Sequence, residues 1–165
     1  MAFTEIYPER LYGYSLFHST CFGDSEEKRK NREREISLIL CGKKRQIINV
    51  NIPKSFADTN LERMEDEVRM AKRIAMNNSD EGIVALLNGM KDRPDRTPVL
   101  QNTNIPLLLI GGMKDNYIPV DLFDKLAGLA PHAKILRLEN SGHMGFLEEP
   151  DKVIETLGRM IREIG

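Results

Sequence analysis

Two stretches restrict the fold more than anything else in this chain. Pro106-Leu107-Leu108-Leu109-Ile110 runs without a polar residue into Gly111-Gly112-Met113-Lys114-Asp115, and Lys134 to Leu138 leads into Ser141-Gly142-His143-Met144-Gly145. A continuous apolar run of the first kind suits a parallel strand buried on both faces. A helical pattern follows each strand: Val120 to Ala130 behind the first, Pro150 to Ile164 behind the second. The last helix has proline in its first turn and a predicted core-facing stripe at Val153, Ile154, Leu157, Ile161 and Ile164. Leu11 to Phe17, rich in aromatic and aliphatic residues, reads as a further strand. Strands alternating with helices imply a parallel α/β sheet.

In open α/β sheets ligands gather outside the carboxyl ends of the strands. Asp115 and His143 both lie just past such ends. Taken singly, an aspartate there is a turn residue and a lone histidine is structural. Together they suit proton relay, because a carboxylate bonded to Nδ1–H fixes the imidazole tautomer and stabilises the imidazolium. Phe146 and Leu147 are expected to anchor the histidine loop to the core. His18, at the end of the first strand, either caps that strand or meets a ligand, and His132 reads as a surface residue. A metal site built from His18, His132 and His143 lacks short ligand spacing, so no metal and no cofactor are expected.

These two strand–loop patterns resemble the C-terminal half of the α/β-hydrolase fold family, and within it the serine esterases. In that family the triad runs serine, acid, histidine along the chain, and the resemblance assigns Asp115 as the acid and His143 as the histidine. A Gly-x-Ser-x-Gly nucleophile elbow does not occur in the 165 residues. Gly13-Tyr14-Ser15-Leu16-Phe17 lacks the second glycine, and Ser15 reads as a strand residue. The family's His-Gly oxyanion motif is also missing. Some relatives of this fold place an aspartate at the elbow, so the nucleophile's identity stays open. The resemblance implies a partial α/β-hydrolase fold of three parallel strands with flanking helices. Residues 1–23 and 102–165 would form the core, and residues 24–101 a helical cap (lid) insertion. Met1 to Leu11 looks like the end of the helix after the elbow, stopped by Pro8.

Within the insertion, residues 26–35 carry five basic and four acidic side chains, a solvated helix face. Thr59-Asn60-Leu61-Glu62 reads as a capping box for a helix with a stripe at Leu61, Met64, Val68, Ala71 and Ala75. Ser79-Asp80-Glu81 opens another helix with apolar positions at Ile83, Val84, Leu87 and Met90. Met64, Met70, Met76 and Met90 could line a flexible acyl pocket, but their helical spacing favours ordinary packing.

Twenty-four Lys and Arg against twenty-five Asp and Glu give a net charge of −1, which supplies no basic surface for nucleic acid or an anionic membrane. Cys21 and Cys41 form neither a disulfide framework nor a metal motif. With no signal-peptide pattern and no apolar run of about 20 residues, a cytoplasmic location is expected. Two functional readings follow. One is an ester hydrolase fragment, inactive alone, that meets a small-molecule ester only when completed by the missing half. The other is a non-catalytic half-fold that binds a partner protein or forms a homodimer through its first strand.

Overall fold

The computed structural model describes residues 1–165. The element order is α1 (Ala2–Ile6), a 3-10 turn (Pro8–Arg10), β1 (Tyr14–Phe17), α2 (Glu26–Leu40), α3 (Lys44–Lys54), a 3-10 turn (Asp58–Asn60), α4 (Glu65–Asn77), α5 (Asp80–Asp92), α6 (Thr97–Asn102), β2 (Leu107–Gly112), α7 (Val120–Leu129), β3 (Lys134–Leu138), α8 (Gly145–Glu148) and α9 (Pro150–Ile164). The first strand is thus shorter than Leu11 to Phe17. Leu11 only caps the turn that Pro8 starts, Tyr12 lies in a bend, and pairing with β2 begins at Tyr14.

The three strands form one parallel sheet in the order β1-β2-β3. Tyr14 aligns with Leu107 and Phe17 with Ile110, while Leu108 aligns with Lys134 and Gly112 with Leu138. All six residues of β2 are buried, as a central strand covered on both faces requires. Leu108 and Ile110 join Leu138, Val153 and Met160 in the core on one face. Each leucine withdrawn from water there contributes roughly 1.5–3 kcal/mol. Gly111 faces Phe123 of α7 on the other, so closely that a Cβ would stand 2.5 Å from the ring.

α9 presents Val153, Leu157, Met160 and Ile164 to that core, whereas Ile154 and Ile161 are exposed. The stripe is rotated from the predicted one: positions 153, 157, 160 and 164 follow the helical repeat as well as the expected set, and they are the ones that pack with Leu108, Ile110 and Leu138. Ser15 lies in β1 and its hydroxyl donates to the Leu108 carbonyl at 2.9 Å, a strand role.

The chain divides into two compact units. The sheet unit comprises Met1–Cys21, Ser55–Asn60 and Arg96–Gly165, and the helical unit Phe22–Lys54 and Leu61–Asp95. Residues 55–60 and 96–101, inside the stretch read as insertion, group with the sheet. The cause at 55–60 is polar: Asn60 Nδ2 donates to the Asn140 carbonyl at 2.7 Å, and Thr59 Oγ1 accepts from Lys114 Nζ at 3.1 Å. Held there, Thr59 caps nothing. α4 begins later, at Glu65, with no side-chain cap, which corrects the capping-box expectation.

In the helical unit α2 packs on α5 and α3 on α4. Ser25 and Ser79 cap α2 and α5 through the amides of Lys28 and Gly82. The Asp24 carboxylate is fully buried between Arg32 and Arg93. Burial works to raise its pKa, but the two guanidiniums overcome this and hold it below the ordinary carboxylate value. Met64 is buried while Met70 is exposed, so the methionines do not share one environment. No helix is long and apolar enough to cross a membrane.

Candidate active site

Asp115 and His143 come together at the carboxyl ends of the adjacent strands β2 and β3. His143 Nδ1 lies 2.8 Å from Asp115 Oδ2. Asp115 is oriented by its own turn, in which Oδ1 accepts from the amides of Tyr117 at 2.7 Å and Ile118 at 3.0 Å. The Asp115 side chain is buried, whereas His143 is one-third exposed, with Tyr117 edge-on at 5.4 Å. The pair therefore consists of a fixed, enclosed carboxylate and an imidazole that solvent or a ligand can reach.

Burial works to raise the Asp115 pKa. The hydrogen bond to His143, the approach of His18, the charge of His143 and the Ile118 amide together outweigh it and hold the carboxyl well below the usual carboxylate range. A depressed folded value means the unfolded chain takes up the proton first as pH falls. The resulting stabilisation is present above the unfolded value of about 3.9 and is lost as pH drops toward the folded one. Urea unfolding at pH 6 and pH 3 should show a smaller acid loss for Asp115→Asn than for the unaltered chain. Equal losses would exclude this carboxylate as a source of acid sensitivity.

The two loops are stitched through backbone. Met113 N–H donates to Leu138 O and Lys114 N–H to Ser141 O, each at 2.9 Å. Gly112 sits where they touch, and a side chain there would run into the carbonyl oxygens of Ser141 and Gly142. His143 N–H donates to Ser55 O at 2.7 Å. Phe146, expected as an anchor, is 49% exposed and stands edge-on to Phe17 with ring centroids 6.1 Å apart. The anchor is instead Glu148, which sequence reasoning missed. Its Oε1 accepts from Ala57 N–H and Asn60 Nδ2, and its Oε2 from Gly142 N–H, all at 2.8 Å. Glu149 beside it accepts from Ser141 Oγ at 2.7 Å and Asn140 N–H at 2.9 Å.

His18 belongs to the site as well. Its Nδ1 stands 3.4 Å from Asp115 Oδ2, and its Nε2 accepts from Gly145 N–H at 3.1 Å. His132 is exposed and lies outside the cluster. His18, Asp115 and His143 bring three potential metal-ligand atoms within 4.8 Å. A ligating imidazole normally donates its second N–H to an acceptor. His18 meets a donor there, so metal at Nδ1 would set N–H against N–H, and the arrangement suits proton relay better than metal binding.

Comparison with known proteins gives the family and the fold. The family profile of the alpha/beta hydrolase fold matches residues 15–150. The chain is 34% identical over 73 residues to a pimeloyl-[acyl-carrier protein] methyl ester esterase of Xanthomonas campestris, covering 44% of this chain and 29% of that protein. A thermophilic esterase from Thermogutta terrifontis superposes with a TM-score of 0.92 at 24% identity, over 99% of this chain and 60% of its own. The enol-lactonase of Burkholderia xenovorans gives 0.86 at 17% identity, over 98% and 60%. The chain thus spans less than a third of its curated relative and about three-fifths of these structures. With acid and histidine at the ends of neighbouring parallel strands and the profile matched over most of its length, this chain belongs to the alpha/beta hydrolase fold family.

Proposed function

We propose that this chain is the acid–histidine part of a serine hydrolase acting on carboxylic esters, and that alone it turns over little or nothing. The observation that carries the reading is the 2.8 Å contact between His143 and an Asp115 already oriented by two amides. Esterase and lactonase activities in the names of its relatives support the substrate class. In the completed protein a serine oxygen would attack the ester carbonyl while His143 takes its proton. The imidazolium, steadied by Asp115, would then protonate the departing alcohol, leaving an acyl-enzyme for water to hydrolyse. Backbone donors for the oxyanion would come from the same completing segment.

The test pairs this chain with the part of the Thermogutta esterase that it does not cover and follows p-nitrophenyl ester hydrolysis. Hydrolysis that His143→Ala abolishes and Asp115→Asn slows about 10⁴-fold is expected. A complex that forms yet stays inert would refute the reading. The chain by itself should take no label from a fluorophosphonate; labelling abolished by Ser15→Ala would overturn the inactivity.

A second reading rests on β1, which pairs with β2 along one side only. Phe3, Ile6, Tyr7 and Tyr12, in the segment leading into that edge, are exposed, Tyr12 by 82%. An open edge strand with apolar flanks is a template for another chain, here a second copy in two-fold, antiparallel pairing. Sedimentation at low micromolar concentration should give a dimer; a monomer with the amides of Ser15 and Phe17, on the side away from β2, protected from exchange would defeat it.

A further inference from the structure

His18 is the one residue other than glycine with a positive φ, at 43°. Its N–H still donates to Ile110 O at 2.9 Å, so the strand ladder continues to this residue and the chain then turns left-handed. That turn sends the imidazole inward, where it is 8% exposed, stacks on Phe17 at 4.9 Å and lies 5.4 Å from the His143 ring. A side chain at position 145 would bring its Cβ to 2.3 Å from Leu138 Cδ1 and 2.5 Å from His18 Nε2, so the seated ring, with Leu138, requires a glycine there. An unfavoured backbone conformation at position 18 and the absence of a side chain at position 145 thus both leave room for one buried ring.

The protonation of that ring follows from its neighbours. Nε2 accepts from the Gly145 amide, so it carries no proton, and in the neutral imidazole the proton sits on Nδ1. Nδ1 has no hydrogen-bond partner of good geometry, yet it stands 3.4 Å from Asp115 Oδ2. We propose that His18 is a positioning residue for Asp115, a neutral donor whose Nδ1–H faces the same carboxylate oxygen that His143 engages. Two imidazoles then bracket one oxygen, while the Tyr117 and Ile118 amides hold the other. The carboxylate is kept ionised from both sides, and its bond to His143 is made from a fixed place. The remaining charged groups nearby are turned elsewhere: Lys114 reaches Thr59 and Asn140, and Glu148 is occupied by Ala57, Asn60 and Gly142. The inference depends on the serine-hydrolase reading only in naming Asp115 and His143 as the relay pair.

The experiment is NMR on the full chain, with ¹⁵N-labelled histidine and carboxyl-¹³C aspartate. At pH 8 the His18 Nδ1 should give the shift of a protonated ring nitrogen and Nε2 that of a bare one; the opposite assignment overturns the proposal. At pH 3 the Asp115 carbon should keep its carboxylate shift. His18→Phe preserves a ring against Phe17 and removes both nitrogens. It should raise the Asp115 midpoint by about one pH unit, about tenfold tighter proton binding. A variant that is merely less stable, with the Asp115 titration unmoved, shows a packing role and refutes positioning. Should His18→Phe fail to fold, His18→Asn, which tolerates the left-handed backbone, takes its place. Neither readout involves an ester or a serine, so a chain that never supports hydrolysis leaves this result intact.

Discussion

Replacing Glu148 with alanine is expected to cost about 4 kcal/mol and to lower the thermal midpoint by about 10 °C. The carboxylate takes three buried donors, from Ala57, Asn60 and Gly142. Hydrogen bonds to a charged group contribute roughly 1.5–3 kcal/mol each, and a buried donor left unmatched costs about 1–3 kcal/mol. The contributions share one side chain and will not add fully, which sets the estimate below their sum. Against a total stability of about 5–15 kcal/mol such a loss is severe. Glu148→Gln should lose less, because one oxygen remains, but its amide hydrogens must face a donor on the other side. Denaturant unfolding distinguishes the cases, and a loss below about 1 kcal/mol for the alanine variant would show that Glu148 does not anchor the loop.

Gly112→Ala is expected to be worse still, to the point of little folded protein. The added methyl would strike the carbonyl oxygens of Ser141 and Gly142. Overpacking against flexible side chains costs about 1–3 kcal/mol because they can re-pack; two backbone carbonyls cannot. One belongs to Ser141, whose oxygen accepts from Lys114 N–H, so relieving the clash would separate the two loops. Gly128→Ala provides the control. It lies in α7 with nothing within 4 Å of a new Cβ, and should stabilise by up to about 1 kcal/mol. Soluble yield and denaturant midpoints for both variants check the pair; a well-folded Gly112→Ala protein would contradict the packing described.

What could be read from the sequence was local. The apolar run ending at Ile110 announced a doubly covered strand, and Lys134 to Leu138 and Pro150 to Ile164 were read with the bounds the structure gives. Asp115 and His143 were legible because each follows its own strand directly, so a parallel sheet brings their loops together. The missed features depend on distant partners. Glu148 sits in an acidic pair before a proline, which reads as a solvated helix start; its burial comes from Ala57 and Asn60, about ninety residues earlier. Thr59 and Asn60 have the letters of a capping box, but long-range hydrogen bonds claim them first. In α9 two rotations of the helix fit the same apolar periodicity, and only the packing of Leu108 and Ile110 selects between them.

The stitching of residues 55–60 to the histidine loop has a consequence for how the chain folds. β1 meets β2 across 93 residues, and Glu148 meets Ala57 and Asn60 across 91 and 88. None of these contacts can form until two long loops have closed, and each closure spends chain entropy before any bond is gained. The helices between can condense early from near neighbours in sequence. The carboxylate–imidazole pair, though its members are only 28 positions apart, rests on a loop whose anchors, Ala57 and Asn60, lie 91 and 88 residues before Glu148. Its geometry is therefore expected to mature late, and a refolding chain to regain its helical signal before His143 is held in place.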